Sequence, residues 1–310
     1  MPIQRGSIIR GPAVVTFGGQ TFRTKGDVQL NMGIDTFDVE SSEFGPIDKR
    51  RNGITISLSF TPVGVVTAAI VPVLWPHLSK TLGTSLFGAS DVPCTVAPVG
   101  GGVQLVLSAA AITKMPGIDI CATKTSMGQV GITGILANNK EWSDAAARYA
   151  ASTISAPTLA AIDTSTIPTS PARVTWEDVF ADLPTAEGVH VEFDLQTNNE
   201  ETDEDGLVDI TMGTVSATAS FEPVGGVDLG DLLDAIALQG SGVLRGTSLS
   251  GHDLTIAARD VGGLTVVIPD ARLDNLPLNY GPSSRRIGSL SFQGFRTSGA
   301  AATITVNDDE

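Results

Sequence analysis

Residues 53–60, GITISLSF, place Ile54, Ile56, Leu58 and Phe60 on one side of an extended chain and Thr55, Ser57 and Ser59 on the other. A period of two is that of a strand with one buried face. GTVSATASF at 213–221 alternates less sharply but still sets Val215, Ala217, Ala219 and Phe221 together. GVQLVLSAAAI (102–112), GLTVVIPDARL (263–273), VHVEFDLQT (189–197) and GQVGITGIL (128–136) also read as strands. Thr, Val, Ile and Phe dominate them, and Gly and Pro punctuate them.

Two stretches break this period. DLGDLLDAIALQGSG begins at Asp228, spaces Leu229, Leu232, Leu233 and Ile236 helically and meets Gly240, so a short helix is predicted there. VVTAAIVPVLWPHLSKTLG (65–83) has similar texture but contains Pro72 and Pro76, which predicts a kinked or broken helix. NKEWSDAAARYAAS (139–152) is helix-like, and a Thr/Ser/Pro/Ala connector follows it.

The same words recur along the chain. PAVVTF at Pro12 returns as PARVTW at Pro171, 159 residues on, and SFTPVG at Ser59 returns as SFEPVG at Ser220, 161 on. GGVQLVL at Gly101 is echoed by GGLTVVI at Gly262, and GQVGITGI at Gly128 by GSLSFQGF at Gly288. Four matches in one order at nearly constant offset indicate a tandem duplication. The expected organisation is a first domain over 1–137, a connector over 138–170 and a second domain over 171–310. Each domain is several strands, one helix and further strands, which makes it a mainly β fold of sandwich or barrel type with a flanking α-helix. Phe60 and Phe221, with Pro62 and Pro223 just beyond, are expected to end paired core strands before each helix.

Composition fits this picture. A chain of 310 residues accommodates two domains with their own cores. An apolar share of 42% with 34 Gly and 17 Pro suits turn-rich globular folding better than disorder. No run approaches the ~18 apolar residues of a membrane span. MPIQRGSIIRG lacks the apolar centre of a signal peptide, so folding in a cytoplasm is expected. Cys94 and Cys121 have no CxxC spacing and suit reduced, buried thiols. The net charge of −15 excludes binding nucleic acid through its phosphates; DNA meeting this surface would slide past it.

Candidate chemistry is sparse. His77, His190 and His252 are scattered and no zinc spacing appears, so no metal or cofactor is expected. Gly100–Gly102 precedes a strand and lacks the Lys-Ser/Thr of a phosphate loop, which leaves a hairpin turn. No nucleophile motif is found, and an enzyme is not expected. NNEETDEDGLVD (198–209) carries Asp203, Asp205 and Asp209, but its spacing is not that of a calcium loop, and it reads as a solvated hairpin tip. Its counterpart, ESSEFGPIDKRRNG (40–53), carries Lys49, Arg50 and Arg51, so charge has diverged in sign at one place in the two copies. Either both are wet loops, or basic and acidic tips attract one another between subunits.

TKGDVQLNMG followed by a long loop, then RRNGITISLSFTPVG, a helix, a strand pair and a closing GQVGITGI resembles the major tail tube proteins of long-tailed bacteriophages. The resemblance covers nearly the whole chain, because the second half repeats the order. It implies tail-tube-type β-sandwich domains, six of which close into a ring, with rings stacked into a hollow tube that passes DNA in the virion. The tape-measure, tail terminator and baseplate or distal tail proteins are its implied partners. With two domains per chain, three chains would complete a pseudo-hexameric ring; a hexamer of chains in a double layer is the other arrangement. Glu40, Glu43, Asp48, Lys49, Arg50, Arg51, Glu200, Glu201, Asp203, Glu204 and Asp205 are then candidates for contacts between rings. The competing class is a β-sandwich adhesin or carbohydrate-binding or decoration protein, against which 3 Trp and 2 Tyr offer little aromatic surface for sugars.

Overall fold

The computed structural model is nearly all β. It describes residues 12–87, 92–107, 109–121, 124–134, 149–154, 157, 171–202, 206–224, 230, 232, 251–258, 263–280, 285–295 and 299–306. In the first half β1 (Ala13–Phe17) lies between β2 (Gln20–Thr24) and β6 (Cys94–Pro98), all antiparallel. A long hairpin of β3 (Gln29–Ser41) and β4 (Gly45–Phe60) follows, and β5 (Pro62–Val63) returns to β2. After one helical turn, α1 (Val71–Leu74), β7 (Gly102–Leu107) joins β6. β8 (Ala110–Lys114) leads into the small hairpin of β9 (Ile118–Cys121) and β10 (Lys124–Met127). β11 (Val130–Gly134) then inserts between β4 and β8. β12 (Tyr149–Ile154) runs along β7.

The second half comprises β13 (Ala172–Trp176), β14 (Phe180–Thr202), β15 (Gly206–Pro223), β16 (His252–Ala258), β17 (Thr265–Asn275), the hairpin β18 (Leu278–Tyr280) and β19 (Arg285–Ile287), β20 (Leu290–Gly294) and β21 (Thr303–Thr305). Here β14, β13, β16, β17, β20 and β15 pair in that order and β15 pairs back with β14, so the circuit closes on itself. Closure removes the open edges that a flat sheet would present.

The registers of the two halves coincide pair by pair. Val14 opposite Arg23 becomes Arg173 opposite Pro184, and Cys94 opposite Leu107 becomes Leu254 opposite Ile268. Phe60 opposite Val130 becomes Phe221 opposite Leu290, and Thr24 opposite Pro62 becomes Thr185 opposite Pro223. Irregularities recur as well. The register shift after Asp35 in β3 returns after Gln196 in β14, and the one between β8 and β11 returns between β17 and β20. A bulge re-aims every side chain beyond it, so its recurrence keeps the same residues facing inward in both copies.

The alternation read from the sequence is the alternation of burial. Ile56, Leu58 and Phe60 are buried while Thr55, Ser57 and Ser59 are only partly covered, and Val215, Ala217, Ala219 and Phe221 repeat the pattern. In the second half Trp176 meets Phe292 edge-on at 4.9 Å and Phe221 stacks on Phe292 at 5.7 Å. The buried residues of both halves form one continuous cluster, with Trp75 of the first touching Phe193 of the second at 6.3 Å.

Four expectations need correction or qualification. The first flanking helix shrinks to a single turn: Pro72 sits in its opening turn, and Pro76 follows the last helical residues and restricts Trp75 before it. The second predicted helix lies largely outside the described residues, of which Gly230 and Leu232 are helical. Within the expected connector, Tyr149–Ile154 is a strand and not helix, because pairing with the edge of β7 satisfies its backbone groups; 139–148 lie outside the described residues. β4 does end at Phe60, and buried Pro62 opens β5, whereas β15 runs past Phe221 to Pro223.

Below α1, His77 is buried with Nε2 2.8 Å from the Ile112 carbonyl oxygen, while its Nδ1 has no partner. Loss of solvent around the ring pushes its pKa from 6.5 down to about 4. The folded protein therefore keeps His77 neutral where the unfolded chain would protonate it. Its contribution is present above pH 6.5 and is lost as pH falls to about 4. Denaturant titrations across that interval should show His77→Gln less pH-dependent than the parent, by up to roughly 3 kcal/mol; parallel profiles would refute the assignment. Phe60, only 1% exposed, should lose about 3–5 kcal/mol on replacement by Ala; a loss under about 1 kcal/mol by chemical denaturation would contradict its place in the core.

Candidate assembly surfaces

Two long hairpins carry the charged segments. In β3–β4 the turn lies at 42–44. Glu40, Glu43, Asp48 and Lys49 are all exposed, and Lys49 Nζ stands 3.7 Å from Asp38 Oδ1 across the hairpin. Lys49 and Asp38 are both well exposed, so their attraction is weak. The backbone register places Arg50 opposite Phe37 and Arg51 opposite Thr36. Phe44 and Ile47, 75% and 58% exposed, give this hairpin an apolar tip that the charge pattern had not suggested. In β14–β15, Glu200 and Glu201 are exposed near the tip, while Asp203, Glu204 and Asp205 lie outside the described residues.

The tip-side part of the second hairpin is met by the first half of the chain. The Gly83 and Leu86 amides donate to the Met212 and Ile210 carbonyls at 2.7 and 2.8 Å, and the Met212 amide donates to the Thr84 carbonyl at 2.9 Å. Ser85 Oγ donates to Asp209 Oδ1 at 2.7 Å, so Asp209 is part of this seam and not of a solvated tip. Leu207, Ile210 and Met212 are buried under it. Their register counterparts in the first hairpin are Pro46, Lys49 and Arg51. The divergence in charge between the copies therefore follows from cover: these positions are packed in one hairpin, and two of the three carry charge in the other.

A second seam joins the halves by strand addition. β9 pairs antiparallel with the outer edge of β14, with Ile118 opposite Val191, Asp119 opposite His190 and Ile120 opposite Val189. The four apolar residues are buried, and His190 Nδ1 lies 2.6 Å from Asp119 Oδ1 at the rim. The approach is close enough to require glycine on both sides. A Cβ on Gly117 would come within 2.9 Å of the Val191 carbonyl oxygen, and one on Gly188, whose φ is +92°, would collide with Cys121 Cβ and the Ile120 carbonyl oxygen. Sequence reading had not found these residues. The signal available was the contrast between Val28-Gln29-Leu30 and Val189-His190-Val191 at matched positions, too short to stand out.

Elsewhere the chemistry is meagre. A groove of about 280 Å³ runs beside the seam, lined by Asp119, Cys121, Glu187, His190, Ser220 and Glu222 among others. Among the described residues no group of three His, Cys, Asp or Glu is arranged to hold a metal. No helix among the described residues is long and apolar enough to cross a membrane. Both cysteines are buried and unbridged, and burial pushes the Cys94 thiol up to about 12.

The seam makes a prediction. Gly188→Ala should destabilise the protein by about 2 kcal/mol or more through overpacking and the left-handed backbone. Gly26→Ala, at a similar φ of +78° but with open space around it, should do much less. Thermal melts giving equal losses for the two would show that the seam is not tight.

Neither a scan of protein-family models nor a search of curated proteins finds a match to this chain.

Proposed function

We propose that this protein is the structural subunit of a tail tube of a long-tailed bacteriophage, polymerising into the hollow conduit through which DNA leaves the particle. The observation that carries the reading is the repetition of the strand pairings in one chain, bulges included, with the two copies welded side by side. Two like units joined edge to edge are a segment of a ring, and a heterologous contact of this kind generates closed rings when its rotation closes. Three chains supply six units, so the ring is a trimer that imitates sixfold symmetry.

The charge suits the task. A wall of net charge −15 per chain repels phosphates, so DNA moves through the lumen without being held. The long hairpins run past the first half's sheets and the second half's closed circuit and are the elements able to reach a neighbouring ring. Lys49, Arg50 and Arg51 on one meet the acidic run at 200–205 on the other, with exposed Phe44 and Ile47 adding apolar contact. Tape-measure, terminator and distal tail proteins would bound the tube at its centre and ends. The reading assigns no catalysis and no cofactor.

Electron microscopy of the purified protein at high concentration, and of particles from its source, tests the proposal. Hollow tubes with three chains per ring are expected. Six chains per ring would retain the tube and replace the trimer by a double layer. Particles bearing the chain on their outer surface, with no tubes in either sample, would transfer the protein to the adhesin or decoration class. Reversing Lys49, Arg50 and Arg51 to Glu should leave rings intact and abolish their stacking; tubes of ordinary length from that variant would remove the hairpin tips from the ring-to-ring contact.

A further inference from the structure

We infer that the hairpin β18–β19 of one chain adds, as a strand, to the edge at 28–30, where β3 begins and which has no second partner among the described residues, in a second copy of the same chain, head to tail. β18–β19 is the register counterpart of β9–β10: Leu278 opposite Ile287 and Tyr280 opposite Arg285 match Ile118 opposite Met127 and Ile120 opposite Thr125. Within the chain β9 has a partner on each side, β10 and β14. Among the described residues β18 has only β19. The receiving edge is equally unequal: β14 takes β9 at 189–191, whereas among the described residues the start of β3, at 29–30, pairs with β4 and with no other strand.

Side-chain cover tells the same story. Val191, fully buried against Ile118, corresponds to Leu30, which is 39% exposed, and buried Ile118 corresponds to half-buried Leu278. An open edge flanked by an exposed leucine is a strand-pairing site. The internal seam supplies both its occupant and its register. Carrying that seam across places Leu278 opposite Leu30, Asn279 opposite Gln29 and Tyr280 opposite Val28. The central position then changes from the Asp119–His190 hydrogen bond to two amide side chains. The contact is heterologous, so each chain donates at its second half and receives at its first, and the series ends only when a ring closes.

The inference gives a residue-level contact to the ring proposed above, and its test separates the two. Residues directly opposite in antiparallel strands lie within reach of a disulfide, so the variant Leu30→Cys with Leu278→Cys should, on mild oxidation of the full chain, give a ladder of covalent oligomers. Mass spectrometry should locate the link at 30–278, and each single variant should stay uncrosslinked; the native thiols are buried and should not compete. As a second measurement, Leu30→Glu should weaken self-association at least tenfold by sedimentation while leaving the melting curve of the monomer nearly unchanged. Rings that assemble with no 30–278 link, or a Leu30→Glu variant that associates like the parent, would overturn this contact and leave the tube reading standing. A parent chain that stays monomeric at every concentration, with no tubes in particles from its source, would sink both.

Discussion

Every amide and carbonyl along a strand needs a partner, and the architecture of this protein follows from how its edges find one. In the second half the strands pair into a closed circuit, so the edges that a flat sheet would leave open are used internally. Other strand edges are met elsewhere in the chain: β9 by the edge of β14, β7 by β12, and β17 by β21. The seam between the halves is thus continuous with the sheets themselves. It is held by main-chain bonds that any sequence can make and is made selective by the few side chains that fit beneath it.

A duplicated unit whose copies sit in different surroundings records those surroundings in its side chains. Leu207, Ile210 and Met212 are buried, and residues 83–86 hydrogen-bond along the backbone at 210 and 212. The same register positions in the first hairpin hold Pro46, Lys49 and Arg51. The edge at 189–191 is buried under β9, and the edge at 28–30 keeps a half-open leucine. What first looks like drift in charge sign is therefore a map of which faces are covered inside one chain and which are left for contact beyond it.

Packing at the seam and beneath α1 uses unlike devices. At the seam, glycine at 117 and 188 lets backbone approach backbone. Beneath α1, bulk and polarity are combined: Trp75 donates its indole N–H to the Pro116 carbonyl at 2.8 Å, and His77 bonds the Ile112 carbonyl, so a segment broken by prolines is still pinned to the first core. The apolar residues that suggested a helix there, Leu74, Trp75 and Leu78, are buried as a helix would have buried them, though only one turn forms.

The strands and the repeat were legible in the sequence because both depend on local order. Alternation over 53–60 or 213–221 needs only neighbouring residues to be read, and matching Phe60 to Phe221 needs only the chain laid against itself. The candidate hairpins were legible as charged runs, but not their difference in cover, nor the exposed Phe44 and Ile47 at one tip. Tyr149–Ile154 looked helical because its alanines favour a helix in isolation; the open edge of β7, more than 40 residues earlier, made it a strand. The seam of 118–120 on 189–191 was invisible for the same reason. The sequence by itself determined which segments extend and that they occur twice. Which edge each segment meets was decided by the tertiary structure, because a strand's hydrogen-bonding groups are alike at every residue and only the closing of the whole sheet selects among partners.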